Sequence, residues 1–286
     1  MNVRIIPRLD IKGPNLVKGI HFEGLRVLGR PEQFARHYSE HGADELIYMD
    51  AVASLYGRNS LQAIVERTSR QVFIPLCVGG GIRSVDDVRQ ILRAGADKVS
   101  LNTAAVRRPE LIGEVARAFG SSTVVLSIEA IRRADGTYEA YTDFGRERSG
   151  RDAVRWAVEA VERGAGEIMV TSIDREGTGS GYDVGLTRMV AEAVPVPVIA
   201  GGGAGTIAHV HEVIRDGLAD AVSIASLLHY NRLRHADATG GEFAGEGNTE
   251  FLRGGGVFSR IADVSLHDLH LVLMANGIGG RQGAAR

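Results

Sequence analysis

The sequence has very little cysteine, and this limits both its chemistry and its expected compartment. Cys77 is the one thiol in 286 residues, so no internal disulfide can form. Proteins of oxidising compartments often carry paired cysteines, whereas cytoplasmic proteins keep their thiols reduced. Cys77 also lies within an apolar run and has no partner for a thiolate relay. We therefore expect a cytoplasmic protein in which Cys77 is part of a strand in the core.

The sequence also lacks an excess of charge and a long apolar segment. Its formal net charge is −2 at pH 7, which gives no general attraction to nucleic acid or anionic membranes. No uninterrupted apolar run approaches the roughly 18 residues of a membrane span, and the charged N-terminal segment with Pro7 is unlike a signal peptide. We expect no nucleic-acid or membrane partner, and any anionic ligand must be held by local groups.

Metal-ligand patterns are missing as well. The nine histidines show no spacing typical of metal ligands. His209 and His211 are two residues apart on a predicted helix, and side chains at that spacing do not share a face. We therefore predict neither a metal site nor a cofactor.

What the sequence does contain is an internal repeat. Residues 74–104 and 196–226 each consist of an apolar run, three glycines, a helical segment and a second apolar run with a polar end. The triplets begin at Gly79 and Gly201, which are 201 − 79 = 122 residues apart. Because the offset holds over a whole strand–helix–strand unit, it indicates two like halves rather than a chance cluster of glycines.

Apolar runs alternate with helical periods along the whole chain. The runs cover residues 4–9, 45–50, 72–78, 98–101, 124–128, 167–171, 196–200 and 221–224. Continuous apolar strands separated by amphipathic helices are typical of a parallel sheet buried on both faces. Eight such pairs with a half-length repeat predict an α/β fold of the (β/α)8 TIM barrel type, with residues 1–286 forming a single domain.

Two segments depart from this alternation. Residues 132–151 follow the fifth strand and predict a short hairpin or excursion over the barrel mouth. Residues 231–263 follow the eighth strand, are glycine-rich and weakly periodic, and precede a last helix at 264–275. Long loops without regular structure are usually functional lids or disordered segments. We expect this insertion to be mobile, and its role stays open.

The glycines that follow the third and seventh strands are candidates for phosphate binding. Gly80, Gly81, Gly202 and Gly203 let backbone N–H groups approach a ligand, and the helix after each pair adds partial positive charge. The neighbouring strand ends supply further donors, at Asn102, Thr103, Ala225 and Ser226. The alternative is that these glycines only turn the chain. That would not explain why both pairs are accompanied by polar residues at the same relative positions. We therefore predict two phosphate sites across one mouth, suited to a bis-phosphorylated small molecule.

Asp10 and Glu129 are the candidate catalytic residues. Each ends a predicted strand, one in each half, where barrel enzymes place their acids and bases. Two carboxylates beside one substrate can divide proton donation and acceptance if their environments separate their pKa values. The alternative is a structural pairing with Lys12, Lys18 or Arg132. We predict Asp10 as general acid and Glu129 as general base.

Taken together, the motifs resemble one known family. They are Arg4-Ile5-Ile6-Pro7-x-Leu9-Asp10, Val78-Gly79-Gly80-Gly81-Ile82-Arg83-Ser84, Lys98-Val99-Ser100-x-Asn102-Thr103-Ala104 and Asp174-Arg175-x-Gly177-Thr178. From residue 4 to 230 the chain resembles the cyclase subunit of imidazole glycerol phosphate synthase, a (β/α)8 barrel of histidine biosynthesis. A sister isomerase shares the repeat and the phosphate sites, but the pattern of Lys98 with Asn102 and Thr103 is similar to the cyclase.

The resemblance implies an ammonia-dependent lyase that works as a heterodimer with a glutaminase. In that family, ammonia crosses the barrel and attacks a phosphoribulosyl aminoimidazole carboxamide nucleotide. An imine forms and the ribulosyl chain cyclises, giving imidazole glycerol phosphate and an aminoimidazole carboxamide ribotide.

The resemblance also implies roles for individual residues. Asp10 matches the principal acid/base, Lys18 matches a mobile-loop lysine, and Thr171 and Gly177 fall among substrate-binding positions. A charged ring that gates the ammonia entrance is matched by Arg4, Glu45, Lys98 and Glu167, with Asp97 beside it. The ring is plausible from the residues alone, because two cations and two anions at N-terminal strand ends can pair. A salt-bridged barrel floor is the structural alternative and is compatible with gating.

Four positions depart from the family pattern. Arg8 replaces a cysteine or another small residue, Glu129 and Glu176 each replace aspartate, and Gly201 replaces a serine. Glutamate keeps the charge but moves it by one methylene, and a displacement of about 1 Å can lower a rate roughly 100-fold.

Because of these differences from the family pattern, the sequence does not identify the substrate. The long loop, with residues 11–15 and 54–58, resembles a second group of cyclase-like proteins, which is associated with surface-polysaccharide genes. That group is implicated in ammonia-dependent amidation of a sugar, again with a glutaminase-like partner. A non-catalytic scaffold for a glutaminase is a third possibility.

Overall fold

The chain forms a closed β-barrel in the computed structural model, which describes residues 2–53, 61–235, 249–251, 254, 256, 258 and 260–279. Twelve strands occur in these residues: β1 (Arg4–Lys12), β2 (Asn15–Ile20), β3 (Glu23–Gly29), β4 (Leu46–Asp50), β5 (Leu76–Gly79), β6 (Lys98–Leu101), β7 (Val124–Arg132), β8 (Tyr138–Thr142), β9 (Glu147–Asp152), β10 (Glu167–Ser172), β11 (Val198–Gly201) and β12 (Ala221–Ile224).

Eight of these strands make the barrel. In ring order they are β1, β4, β5, β6, β7, β10, β11 and β12, each parallel to its neighbours, and β12 pairs with β1 to close the ring. The predicted (β/α)8 barrel is confirmed. Parallel pairing brings the carboxyl ends of all eight strands to one mouth, which is where their polar end residues meet.

Helices occupy most of the segments between the barrel strands. They are Pro31–Glu40, Gln62–Ser69, Val85–Arg93, Thr103–Arg107, Glu110–Phe119, Ala153–Glu162, Val184–Ala193, Ile207–Arg215, Ser226–Arg234 and Leu266–Ala275. Several of these helices begin at a residue whose side chain caps the first turn. Ser84 and Asp87 form a reciprocal capping box, and Asp152 accepts from the N–H groups of Val154 and Arg155. None of the helices in the described residues is long and apolar enough to cross a membrane.

The region after β12 begins differently from the sequence prediction. Residues 231–234, expected to be weakly periodic, continue the helix Ser226–Arg234, and the last helix begins at Leu266 rather than at residue 264. Most of the remaining insertion, residues 236–248 in particular, lies outside the described residues. The extent of the insertion and the single-domain assignment stay predictions.

Two antiparallel hairpins extend the barrel strands beyond the mouth. The hairpin expected within residues 132–151 is present, because β7 continues into β8 and β9. A second one, β2–β3, follows β1 and was missed. Its turn has His21 and Phe22 at positive φ, a conformation most often taken by glycine, so the two turn residues themselves gave no signal.

The barrel interior contains an apolar layer below the mouth. It consists of Ile6, Ile47, Met49, Cys77, Val125, Met169, Ile199 and Ala221, all 5% exposed or less. Cys77 is therefore a core residue as predicted, and burial raises the pKa of its thiol, which keeps it neutral. The opposite faces of the strands pack against the helices in a second, larger core.

Candidate active site

The centre of the mouth is occupied by a buried ion pair on β1. Arg8 and Asp10 are both on the barrel-facing side of the strand, and Arg8 Nε lies 2.9 Å from Asp10 Oδ1. Arg8 Nη1 donates to Thr171 Oγ1 at 3.4 Å on β10. The guanidinium also lies 5.2 Å from the ring centroid of Phe22 in the β2–β3 hairpin. Asp10, Thr171 and the departing residue Arg8 are thus brought together.

A second buried ion pair ties the β2–β3 hairpin to the loop after β10. Lys18 Nζ contacts Glu176 Oε1, and both side chains are buried. Burial opposes ionisation of Glu176, but the Lys18 ammonium and the Arg8 guanidinium hold the pKa of this carboxyl below its usual value. The backbone of His21 adds a hydrogen bond to Glu176 O at 2.9 Å. The hairpin therefore lies across the mouth on the side of β10.

Glu129 is another buried carboxylate of the mouth and has a different environment from Asp10 and Glu176. It is 2% exposed, and Glu129 Oε2 accepts from Asn102 Nδ2 at 3.2 Å. Burial raises the pKa of Glu129 to about 7, while Arg8 opposes this rise and Asp10 adds to it. A carboxyl with such a pKa can exist in either protonation state near neutral pH, as acid/base catalysis requires.

An open cavity adjoins Glu129 on the side of β5 and β6. It has a volume of about 290 Å³. Its lining includes the predicted phosphate residues of the first half together with Glu129 and three arginines: Gly80, Gly81, Asn102, Thr103, Glu129, Arg83, Arg107 and Arg108. Gly80 has φ +93°, and a Cβ there would lie 2.6 Å from Asp50 O, so only glycine fits. The cavity therefore combines a backbone cradle with positive side chains.

The corresponding glycines of the second half are closely covered. A Cβ on Gly202 would lie 2.8 Å from Ser172 O, and one on Gly203 would lie 2.1 Å from Gly181 O. Gly177 packs in the same way against Gly19 of the hairpin. Ala225 and Ser226 lie nearby in the fold, at the start of the helix Ser226–Arg234 after β12. Gly202 and Gly203 are thus positions where only glycine fits beside the loop after β10.

Gly201, where the family often has serine, has a local explanation. A Cβ at this position would lie 2.6 Å from Thr171 Oγ1 on the neighbouring strand. Thr171 in turn is the hydroxyl to which Arg8 donates. The glycine therefore leaves room for the threonine that anchors Arg8.

The predicted charged ring closes the opposite end of the barrel. Four contacts join its members: Arg4 Nη1 to Glu45 Oε2 at 2.6 Å, Arg4 Nη2 to Glu167 Oε2 at 2.9 Å, Lys98 Nζ to Glu45 Oε2 at 2.9 Å and Lys98 Nζ to Glu167 Oε1 at 2.7 Å. Two cations and two anions alternate, so the charges in this ring balance.

Asp97 has a different partner from the ring residues. Its Oδ2 accepts from Leu76 N at 2.9 Å, at the start of β5. Asp44 and Asp220 make the same contact to Ile5 N and Val198 N. The three aspartates after the glycine-containing helix ends therefore anchor neighbouring strands, and Asp97 stands beside the ring without joining it.

Sequence reasoning missed the part played by the two hairpins. Phe22 and Phe144 are 144 − 22 = 122 residues apart, the same offset as the glycine triplets, and their ring centroids are 4.4 Å apart over the mouth. The half-barrel repeat therefore extends into the hairpins. This offset, with the Gly13-Pro14 turn between β1 and β2, could have revealed β2–β3. Among the described residues, no three histidine, cysteine, aspartate or glutamate side chains are grouped to hold a metal ion.

Comparison with known proteins gives consistent matches. The family model described as "Histidine biosynthesis protein" matches residues 4–234. The chain is 60% identical over 206 residues to "Imidazole glycerol phosphate synthase subunit HisF" of Legionella pneumophila, covering 72% of this chain and 97% of the relative.

Two other relatives have the same name. The protein of Myxococcus xanthus is 54% identical over 226 residues, which cover 79% of this chain and 89% of the relative. The protein of Trichormus variabilis is 48% identical over 240 residues, which cover 83% of this chain and 93% of the relative. The chain therefore belongs to the HisF family of histidine biosynthesis proteins, as its motifs indicated.

Proposed function

We propose that this protein is a cyclase subunit of imidazole glycerol phosphate synthase, a lyase of histidine biosynthesis. The observation that carries the proposal is the order of layers along the barrel. A charged ring closes one end, an apolar layer follows, and two candidate catalytic carboxylates lie at the mouth beside a glycine cradle. Ammonia is small and neutral and can cross an apolar layer that excludes ions.

The substrate is a nucleotide with a phosphate at each end. The first phosphate is held by the backbone of Gly80 and Gly81 with Asn102 and Thr103, and the second by the corresponding residues of the other half, including Gly202 and Gly203. The arginines at the rim of the open cavity support this proposal, because Arg83, Arg107 and Arg108 can donate hydrogen bonds to a phosphate even though Arg107 and Arg108 also contact Asp143 and Glu114.

The ammonia comes from a glutaminase partner that docks at the ring end of the barrel. Arg4, Glu45, Lys98 and Glu167 then form the entrance, and their mutual pairing keeps it closed to ions until the partner binds. The name shared by the relatives describes a subunit, which supports a complex. The cytoplasm is the proposed compartment, since a single buried cysteine suits a reducing environment.

Turnover of the phosphoribulosyl aminoimidazole carboxamide nucleotide tests the proposal directly. Purified protein is mixed with the substrate and ammonium salt, without a partner, and the loss of substrate absorbance is followed. We expect turnover with ammonium, and turnover with glutamine only after a cognate glutaminase is added. No turnover with ammonium, while calorimetry still detects substrate binding, would refute the cyclase and direct attention to sugar amidation.

Residues 54–58, part of the resemblance to the group implicated in sugar amidation, lie outside the described residues.

The first phosphate cradle can be tested with a pair of glycine variants. Gly80→Ala places a Cβ 2.6 Å from Asp50 O, so the cradle must shift, whereas a Cβ at Gly136 meets nothing within 4 Å. Both glycines have positive φ, so both variants carry similar backbone strain. Losing one hydrogen bond to a phosphate weakens binding by about 10- to 100-fold. We expect that loss for Gly80→Ala in calorimetry with the substrate, and an unchanged affinity for Gly136→Ala; equal affinities would contradict the cradle.

A further inference from the structure

We propose that Arg8 is a positioning residue that keeps Asp10 anionic as the general base and leaves the mouth's exchangeable proton on Glu129, the general acid. This inference rests on the proposed cyclase activity and deepens it. It reverses the roles expected from the sequence, where Asp10 was the acid. Three structural observations carry it: the Arg8–Asp10 geometry, the balance of buried charges, and the partners of the arginines around Glu129.

Arg8 is held so that its guanidinium must face Asp10. Arginine stays cationic in proteins, and a buried cation needs an anionic partner. Arg8 is 3% exposed and its Nε lies 2.9 Å from Asp10 Oδ1. The backbone is fixed too, because His229 Nε2 donates to Arg8 O at 2.9 Å while its Nδ1 accepts from Tyr38 OH. Burial lowers the pKa of His229 to about 3, so the ring stays neutral.

The buried charges of the mouth leave Glu129 as the unpaired carboxylate. Among Asp10, Glu129 and Glu176, Arg8 pairs with Asp10 and Lys18 pairs with Glu176, so two cations serve two of these three carboxylates. No ion pair between described residues includes Glu129, whose side chain accepts from the neutral amide of Asn102 and from the backbone N–H of Gly145. With a proton on Glu129 the five groups are electrically balanced. This is the arrangement that a low-dielectric site favours.

Cations at the cavity rim do not alter this balance. The charged groups that line the cavity with Glu129 are Asp50, Arg83, Arg107 and Arg108. Arg107 pairs with Asp143 at 3.0 Å and Arg108 with Glu114 at 2.6 Å, while Asp50 and Arg83 also have partners. After burial, the groups that act most strongly on Glu129 are Arg8, which lowers its pKa, Asp10, which raises it, and the backbone N–H of Gly145, which lowers it; Glu176 raises it less.

The assignment gives a balanced first step. Ammonia adds to the ketone carbon of the ribulosyl chain, forming a C–N bond and a neutral carbinolamine. Glu129 then donates its proton to the hydroxyl oxygen, the C–O bond breaks and water leaves. Asp10 takes one proton from the nitrogen as the C=N bond forms. The products are the imine and water, and one proton has moved from Glu129 to Asp10.

The direction of the pH dependence separates the two assignments. Residual kcat/KM is measured for Asp10→Asn and Glu129→Gln at a fixed concentration of neutral ammonia. We expect the rate of Asp10→Asn to fall as the pH rises, because its remaining group is an acid. The rate of Glu129→Gln should stay level as the pH rises through neutral, because Arg8 already keeps its remaining group, Asp10, anionic. A rate that rises with pH for Asp10→Asn, together with one that falls with pH for Glu129→Gln, would overturn the assignment.

A titration of the resting protein tests the role of Arg8 without turnover. The ¹³C carboxyl signals of labelled glutamate are followed by NMR, and the Glu129 signal is identified by its loss in Glu129→Gln. We expect it to titrate near pH 7 in the wild type. It should move to higher pH in Arg8→Gln, which removes a cation, and stay in place in Arg8→Lys, which keeps the charge.

Each outcome of this titration has a clear reading. A Glu129 signal that titrates near the ordinary glutamate value of about 4.3 would overturn the proposal, as would an unchanged titration in Arg8→Gln. Since the experiment needs no substrate, wild-type protein that titrates as expected but shows no turnover would refute the cyclase function alone.

Discussion

Replacing Asp10 by asparagine is expected to lower the ammonia-dependent kcat by about 10²- to 10⁴-fold, the usual contribution of a positioned acid or base. Asparagine keeps the shape of the side chain but cannot accept a proton in the mouth. It also removes the anion beside Arg8, and an uncompensated buried charge destabilises a fold by roughly 3–5 kcal/mol. Rates are therefore measured well below the unfolding midpoint, and denaturant unfolding gives the stability of the same sample.

The double variant Arg8→Met/Asp10→Asn separates these two effects. It removes both charges of the pair, so much of the lost stability should return, since a buried ion pair can be replaced by uncharged groups at little cost. Activity should stay low because the base is still missing. Asp10→Asn with activity within a few-fold of the wild type would exclude a catalytic Asp10, and so would a double variant that recovers turnover.

Replacing Lys18 by methionine is expected to lower the stability of the fold about as much as Asp10→Asn. It leaves Glu176 buried without its cation, which should lower the free energy of unfolding by about 3–5 kcal/mol. The exposed pair Arg36–Glu40 provides a matched control, with side chains that are 61% and 46% exposed. Arg36→Met should change stability by less than about 1 kcal/mol. Equal effects of the two substitutions would show that the Lys18 contact does not hold the hairpin.

The pH dependence of this effect has a definite sign. The pKa of Glu176 is lower in the folded protein than usual, so the pair contributes stability at pH values above the unfolded pKa. The contribution is lost as pH falls through the lower folded pKa. The stability difference between wild type and Lys18→Met should therefore be full near pH 7 and shrink in acid, as measured by denaturant unfolding at several pH values. A difference that grew on acidification would contradict the ion pair.

Sequence patterns predicted the parts of the fold that depend on short-range order. The apolar runs became barrel strands because a strand buried on both faces needs consecutive apolar residues. Most of the helical periods between these runs became helices. The glycine triplets marked the strand ends at the mouth, and the hairpin within residues 132–151 was found. The β2–β3 hairpin was not found, because His21 and Phe22 adopt positive φ without a residue type that favours it.

For the candidate site too, the sequence identified some features and not others. Asp10, Glu129 and the ring residues could be named from the sequence, because each stands at one end of an apolar run and all strands of a parallel barrel point the same way. The strands β1 and β7 continue past Asp10 and Glu129 into the hairpins. Their partners could not be named. Whether Arg8 would face Asp10, or Lys18 would reach Glu176, depends on how distant segments approach after the barrel closes.

The sequence by itself determined the barrel, its two related halves, the end that carries the polar residues and the membership of the HisF family. Only the tertiary structure decided which carboxylate is paired and which is left with a raised pKa. The physical reason is that ionisation depends on burial and on charges within a few ångströms. Lys18 and Glu176 are 158 positions apart in the chain, and only the closed fold places them in contact.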